Sequence, residues 1–271
     1  RLTELDAAGQ IQAYFFDPAT LGKLQAERSW SVNAGASVNM SARLQGEINL
    51  FHNSIDNLIE TQAVAITTNN QTLYSYRNIA RAFTQGVEAN LSYALFKHWS
   101  LAGGYQLLFA KDKDVLEQVR DGNVFYRDPA TLVTQRLARR EYVGLYNRSR
   151  HMGNIKLFYL NPATGWEGSI RLVYRGRYGV GALQGNIQGE NIPPSDSNSN
   201  GVLDRFDSFV RGYGLVNVAV GKTIRETLRV QLGVDNVFNH TEPVFIPNLP
   251  GRLLYISGRY QFQQKSKPKN P

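Results

Sequence analysis

No cysteine occurs among the 271 residues. A disulfide scaffold, a thiolate zinc site and a cysteine nucleophile are excluded together. No run of about 18 apolar residues is present either, which excludes a transmembrane helix of the usual kind. The membrane stays open, because barrel strands alternate lipid-facing and lumen-facing residues and escape windows tuned to helices. Acidic residues are the scarcer sign, 22 against 30 basic, for a net charge of +8. The excess is spread along the chain. Its one dense run, Arg136, Arg139 and Arg140 with Glu141, lies in a loop region, and the Lys-rich tail after Gln264 reads as a solvated end. A charge so dispersed gives no expectation of a nucleic-acid partner.

Catalytic machinery is also missing. The four histidines, His52, His98, His151 and His240, show no ligand spacing. The serines lack a nucleophile-elbow motif, and no spacing brings two carboxylates together. The chain opens at Arg1 with no methionine, leader or cleavage site, so a preceding N-terminal portion is expected.

What the sequence holds in quantity is 24 glycines, 14 tyrosines and 13 phenylalanines, a strand-and-turn composition with aromatic anchors. In Leu228-Arg229-Val230-Gln231-Leu232-Gly233-Val234-Asp235 every even position is apolar and every odd one polar or glycine. Side chains of a strand point alternately to opposite faces, so this segment has one wholly apolar face. Trp30, Val32, Ala34, Ala36 and Val38 repeat the pattern, as do Ile48-Leu50, Val87-Ala89-Leu91-Tyr93 and Leu101-Gly103-Tyr105-Leu107-Phe109. Ile155-Leu157-Tyr159, Ile170-Leu172-Tyr174, Val216-Val218-Val220 and Leu254-Ile256-Gly258-Tyr260-Phe262 follow. These give about nine strands, mostly of about 9–15 residues, longer than the 5–6 usual in soluble sheets and suited to tilted strands crossing a bilayer.

A β-sandwich also alternates. Against it, the polar faces carry Glu47, Glu88, Lys156, Arg171, Arg229 and Arg259, as a wet lumen permits, and Tyr93, Tyr159, Tyr174, Tyr260 and Phe262 end apolar faces where an interfacial girdle would lie. The connections alternate too. Residues 40–43, 96–99, 162–165 and 225–227 read as short periplasmic turns, whereas 61–73, 111–150, 177–208 and 238–252 read as long outer loops. That asymmetry belongs to outer-membrane barrels. Residues 1–26 would end another outer loop.

The end of the chain resembles TonB-dependent outer-membrane receptors. Val234-Asp235-Asn236-Val237-Phe238-Asn239 is similar to the family's penultimate-strand ending, and Pro250-Gly251-Arg252 to the motif opening its last strand. Leu24-Gln25-Ala26-Glu27-Arg28-Ser29, the segment Phe51 through Ile59, and Asn78 with Gly86-Val87-Glu88 fit the preceding segments in order. The resemblance departs at residues 263–271, which follow the terminal aromatic Phe262 as a polar basic tail, natural or added. It implies an all-β, antiparallel transmembrane barrel of about 22 strands filled by an N-terminal plug, of which residues 1–262 would be the C-terminal strands and outer loops, without the plug. It further implies import of a scarce nutrient (ferric siderophore, haem or cobalamin) by TonB-coupled transport in the bacterial outer membrane. The partners would be the plug and remaining strands of the same receptor, TonB acting through the plug, a small metal-chelate ligand, outer-membrane lipid and, as a further candidate, a surface lipoprotein. The alternative is a smaller stand-alone outer-membrane barrel acting as an enzyme or adhesin, for which an even strand count is expected.

Residues 196–207 form the sharpest local feature. Asp196, Asn198, Asn200, Asp204 and Asp207 occupy positions 1, 3, 5, 9 and 12 of a twelve-residue loop, with Gly201 at position 6 and the Val202 carbonyl at position 7. That spacing suits the six to eight oxygens of structural Ca²⁺, with Asp207 in place of the usual glutamate. The alternative is a polar surface loop with no metal. Tyr14, Phe15, Phe16, Tyr126 and Arg127 line either a ligand vestibule or the interior of folded loops.

Overall fold

The computed structural model describes residues 2–14, 23–69, 71–128, 131–181, 195–198 and 200–262. A short helix α1 (Leu2–Ala7) and strand β1 (Ile11–Tyr14) lead into β2 (Arg28–Ser41), β3 (Leu44–Thr67), β4 (Thr72–Phe96) and β5 (Trp99–Asp112). Helix α2 (Lys113–Arg120) and the small hairpin β6 (Phe125–Arg127) and β7 (Thr134–Arg136) separate these from β8 (His151–Asn161) and β9 (Trp166–Arg175). Strands β10 (Tyr213–Ile224), β11 (Leu228–Asp235) and β12 (Leu253–Tyr260) complete the order. The nine long alternating stretches of the sequence are nine of these strands, β2–β5 and β8–β12. They form one antiparallel 10-stranded sheet in which each strand pairs its sequence neighbour, while β1 joins β2 on the same side of β3. Short turns enforce the hairpin pairing of β2 with β3, β4 with β5, β8 with β9 and β10 with β11.

Register carries the alternation across the sheet. Val32 pairs with His52, Leu50 with Val87, Val87 with Leu107, Leu157 with Ile170, Val218 with Val234 and Leu232 with Ile256. Directly paired residues share a face, so the apolar sides of all nine strands merge into one surface. Its side chains stay open: Val32 is 58% exposed, Leu232 58%, Leu254 77% and Ile256 72%. Apolar area of this extent is not left to water by a soluble monomer, and is what lipid covers.

Aromatic rings close both ends of that surface. On the outer side Trp30, His52 and Phe83 stack in sequence, with centroids 5.1 and 5.8 Å apart. On the turn side Trp99 meets Phe96 and Tyr159, and Tyr260 meets Phe262. Trp99 and Phe109 mark the two levels on β5. Ten residues of strand at about 3.3 Å each, tilted by about 40°, stand about 25 Å tall, the height of a barrel's apolar band.

The turns at 42–43, 97–98, 162–165 and 225–227 lie at one end and the long connections at the other, as the sequence predicts. The expected loop 61–73 is corrected: β3 and β4 run on as a paired hairpin of 24 and 25 residues, β3 ending only at Thr67 and β4 starting at Thr72. Above the bilayer neither face meets lipid, so the ladder continues without the apolar alternation by which the strand is legible. Within the sheet, β2 and β12 each pair one long strand only. An unpaired edge is costly in lipid, so the sheet needs further strands to close.

Candidate functional site on the outer loops and lumen face

Two knots of side chains hold the outer ends of the strands, and both are made of the motif residues. In the first, β3 bulges between Ile55 and Leu58, where Asn57 adopts φ 58°. Asn78 on β4 reaches across: its Nδ2 donates to the carbonyl oxygens of Asn57 at 2.6 Å and Gln25 at 3.0 Å, while its Oδ1 accepts from the Gln25 N–H at 2.8 Å. A carboxylate oxygen of Glu27 accepts from the Ile59 N–H. Backbone groups stranded by the bulge are thereby satisfied.

In the second knot the nearly buried Asn236, φ 52°, ends β11. Its Nδ2 donates to the His240 and Pro250 carbonyls at 2.7 and 3.0 Å, and its Oδ1 accepts from the His240 N–H at 2.9 Å. Asn239 Oδ1 accepts from the Arg252 N–H, and Arg252 Nε donates to the Val237 carbonyl. A side chain at Gly251 would press on Asn239 Oδ1 at 2.6 Å. The sequence signals at 234–239 and 250–252 are thus two halves of one latch across the outer loop between β11 and β12.

The connections 113–150 and 195–208 fold together rather than trailing as loops. Val119, Val124, Tyr126, Leu137, Tyr142 and Val202 form a small core. Asp112 caps α2 by accepting from the N–H groups of Asp114 and Val115, and Arg81 grips α2 through Asp114 and Glu117 at 2.6 and 2.7 Å. Tyr126 stacks on Phe206 at 4.1 Å and is buried, which places it in this core and not in a vestibule. Its partner lies eighty residues away, beyond any local signal. Arg127 is exposed and donates to the Leu132 carbonyl. Tyr14 ends β1 beside Asp6, and Phe15 and Phe16 lie outside the described residues, as does the tail 263–271.

The loop 196–207 is wound about its own oxygens. Asp196 accepts from the N–H groups of Asn200 and Gly201, Asn198 Oδ1 from Asn200 N–H, and Asn200 Oδ1 from Val202 N–H. Asp204 is fully buried; one oxygen accepts from the Phe206 N–H and the other from the Asn198 and Asn200 amides at 3.0 and 2.9 Å. Asp207 accepts from the N–H groups of Ser197 and Asp204. All six expected positions are brought into one turn. Among the described residues, no three carboxylate or histidine groups are near enough together to hold a metal as they stand. Burial, with Asp204 and Asp196 adding repulsion, pushes Asp207 up to about 6, against the hydrogen bonds that favour its ionised form. Burial and the same three carboxylates also raise Tyr146.

A carboxyl raised by folding stabilises below its unfolded value, and that contribution is lost as pH rises through the folded value. Without divalent cations, amides of 196–207 are therefore expected to exchange faster at pH 7.5 than at pH 5, after correction for intrinsic rates. Hydrogen exchange read by mass spectrometry checks this, and protection that is flat across that window would contradict it.

The opposite face of the sheet is polar. Gln106 Nε2 donates to Glu88 at 2.7 Å, and Arg229 Nε donates to Glu167 at 2.8 Å. Lys156 lies over Phe158, and Arg229, Gln231 and Ser169 line a shallow recess beside it. Of the histidines, His52 sits in the outer aromatic stack, His98 in a turn, His151 against Tyr105 and His240 on Tyr213. They lie apart, as their spacing implies.

A sheet of long antiparallel strands with an apolar belt on one face, ionisable groups on the other, tight turns at one end and folded loops at the other is part of an outer-membrane β-barrel. The sequence matches the TonB-dependent receptor-like β-barrel family over residues 6–237, and the chain belongs to that family. Its members are outer-membrane barrels that transport and do not catalyse. Among solved structures the fold is similar to the FrpB iron transporter from Neisseria meningitidis, F3-3 variant (17% identity, TM-score 0.53, 89% of this chain and 31% of that one). It is similar also to the copper transporter OprC (14%, TM-score 0.59, 89% and 32%) and to the siderophore receptor PirA from Acinetobacter baumannii (18%, TM-score 0.56, 89% and 32%). The chain thus spans under a third of the length of these proteins. No curated protein matches the sequence.

Proposed function

We propose that this chain supplies nine C-terminal strands and the outer loops of a receptor that imports a scarce metal chelate (ferric siderophore, haem, cobalamin or a copper complex) with energy delivered by TonB. The observation that carries the reading is the family match over residues 6–237. Two features support it. The polar lumen face offers a wet path, and the outer connections form a folded, cored surface able to hold one shape toward a ligand. Capture falls to the outer loops. Release inward falls to a plug displaced by TonB, so this chain needs no reacting groups.

Calcium belongs to the same reading. A Ca²⁺ at 196–207 would take oxygens from Asp196, Asn198, Asn200, Asp204 and Asp207 and the Val202 carbonyl, with the two amides turned from Asp204 toward the ion. The raised Asp207 supports this, because a divalent cation supplies the countercharge its burial lacks.

The test is binding to the whole receptor in detergent of ferric siderophores, haem, cobalamin and copper, each with calcium and after chelation. One compound is expected to bind at submicromolar Kd, about −8 kcal/mol or better, and its uptake by cells to vanish when TonB is deleted. Weaker binding after chelation supports the calcium loop, and binding unchanged by chelation removes it. No binding by any compound, with uptake unaffected by loss of the receptor, would overturn the import reading.

A further inference from the structure

The lumen face of the sheet is divided by charge into two halves. On β2–β5, within residues 28–55 and 82–112, the positions that alternate with the lipid-facing ones include Glu47, Glu88 and Asp112 and no cation. On β8–β12 the same face carries Arg175 and Arg171 of β9, Lys156 of β8, Arg229 of β11 and Arg259 of β12, against Glu167 and Asp235.

These cations run from the outer end of the strands to the turn end. Arg175 is the last residue of β9, and Arg171 lies four residues below it, about 13 Å of strand. Lys156 is paired directly with Arg171, and Arg229 directly with Arg259. Like charges directly opposite each other on one face are destabilising. Arg229 is tied to Glu167. Among the described residues, Lys156, Arg171, Arg175 and Arg259 have no carboxylate within ion-pair distance, and the buried Nε of Arg175 has no hydrogen-bond partner. Lys156 and Arg229 border one recess of about 90 Å³ with Ser169 and Gln231, so one small group there is in reach of the middle and lower levels together.

We propose that β8–β12 form the wall along which cargo crosses the lumen, and that this cargo is a metal chelate of net negative charge, carried on carboxylate or phenolate oxygens. The inference rests on the import reading and narrows it. A neutral or cationic cargo would leave the repelling pairs unrelieved at every level. A fixed partner such as the plug needs countercharge only where it touches. A cation at successive levels from mouth to turns serves a charge that travels, because transit needs several weak sites and not one tight one. The levels at Arg175 and Arg171 lie within about two screening lengths at physiological salt, so an anion at one is already drawn by the next. The acidic half repels the same anion and confines its path to one wall.

The experiment gives cells carrying the whole receptor one labelled compound at a time: a ferric tricarboxylate chelate, a ferric tricatecholate, haem, a neutral ferric trihydroxamate, cobalamin and a copper(II) amine complex. Binding to the cell surface and rate of uptake are measured separately. The compound taken up is expected to be one of the first three. Lys156→Gln with Arg171→Gln is expected to slow its uptake about tenfold, the low end of electrostatic focusing, with Kd changed less than about twofold. Ser169→Glu should slow uptake in the same sense. Asn39→Glu, in the row of Lys156 but four strands away, should not. Arg259→Gln, a single change at the turn end, keeps the test alive if the double variant fails to assemble, as judged by the mobility of the unheated barrel. Uptake of a neutral or cationic compound, an unchanged rate in the charge-removed variants, or equal slowing by Ser169→Glu and Asn39→Glu would overturn the proposal. So would slowed uptake accompanied by entry of large antibiotics, which assigns the cations to holding the plug. Normal Kd without the charge dependence sinks this inference alone, whereas binding of no compound sinks the import reading with it.

Discussion

Gly86→Val is expected to prevent assembly of the barrel. Gly86 lies on the lumen side of β4, paired with Phe51 of β3, one pair away from the Val87–Leu107 pair that joins β4 to β5. A Cβ there would overlap the Leu107 carbonyl oxygen and meet Phe51 Cζ at 3.0 Å. Phe51 is a side chain and can swing, but the carbonyl belongs to the ladder and cannot. The β4–β5 pairing must open, and two central strands then carry unpaired backbone groups where no water replaces the partner. The loss is put at more than about 4 kcal/mol, the exceptional range for a single change. Unheated receptor from the outer membrane should run at the unfolded position on a gel. Gly258→Val is the control: it lies in a strand on the lipid face with nothing within 4 Å of an added Cβ, and should assemble normally. Normal assembly of both variants would mean that β4 and β5 are not held in this register.

Asn236→Ala is expected to free the connection between β11 and β12 while leaving the strands paired. The change removes two amide donors and one acceptor at a site almost closed to solvent, and places alanine at φ 52°. Each polar group left unmatched costs about 1–3 kcal/mol, and a left-handed backbone costs a residue with a Cβ about 1–2 kcal/mol, so the total is about 4 kcal/mol with water recovering part. Asn236→Gly separates the two parts, because glycine accepts the backbone angle but restores no bond, and should recover about a third of the loss. The readout is protease cleavage in 238–252 on intact cells together with thermal unfolding in detergent. Cleavage is expected in Asn236→Ala, less of it in Asn236→Gly, and none in the unchanged receptor. Equal resistance in all three would show that Asn236 is not the latch.

The two sites differ in how much of them is legible in the sequence. Gly86 and Asn236 both fall in stretches that resemble a receptor family, so their positions stand out, but the reason for each residue does not. Gly86 is glycine because of a carbonyl twenty-one residues away on another strand. Asn236 is asparagine because of carbonyls at 240 and 250. Asn78 joins Gln25 and Asn57 across 53 and 21 residues, which no local pattern encodes. The strand faces are another matter. Val32, Leu50 and Leu232 could be assigned to the lipid side from alternation alone, because side-chain direction along a strand is covalent geometry with a period of two.

The one misread loop follows the same division. Alternation fades after Ile59, and 61–73 therefore reads as a loop. In the folded chain residues 61–67 and 72–73 remain strand, since above the bilayer the backbone ladder holds with no apolar face to mark it. For Tyr126 the sequence leaves open a vestibule or the interior of folded loops, and the structure selects the interior, because Phe206 arrives there only when two separate connections fold against each other.

The sequence by itself determined that the chain is a run of nine alternating strands with tight turns at one end and long connections at the other. Both properties are local, fixed by side-chain alternation and turn chemistry within a few residues. Only the tertiary structure decided which of those residues meet. Register sets Trp30, His52 and Phe83 in one aromatic row, ties Glu27, Asn57 and Asn78 into one knot, and brings Gly86 against the Leu107 carbonyl. A register is a sum of hydrogen bonds between strands distant in sequence, and no stretch of the chain carries that sum alone.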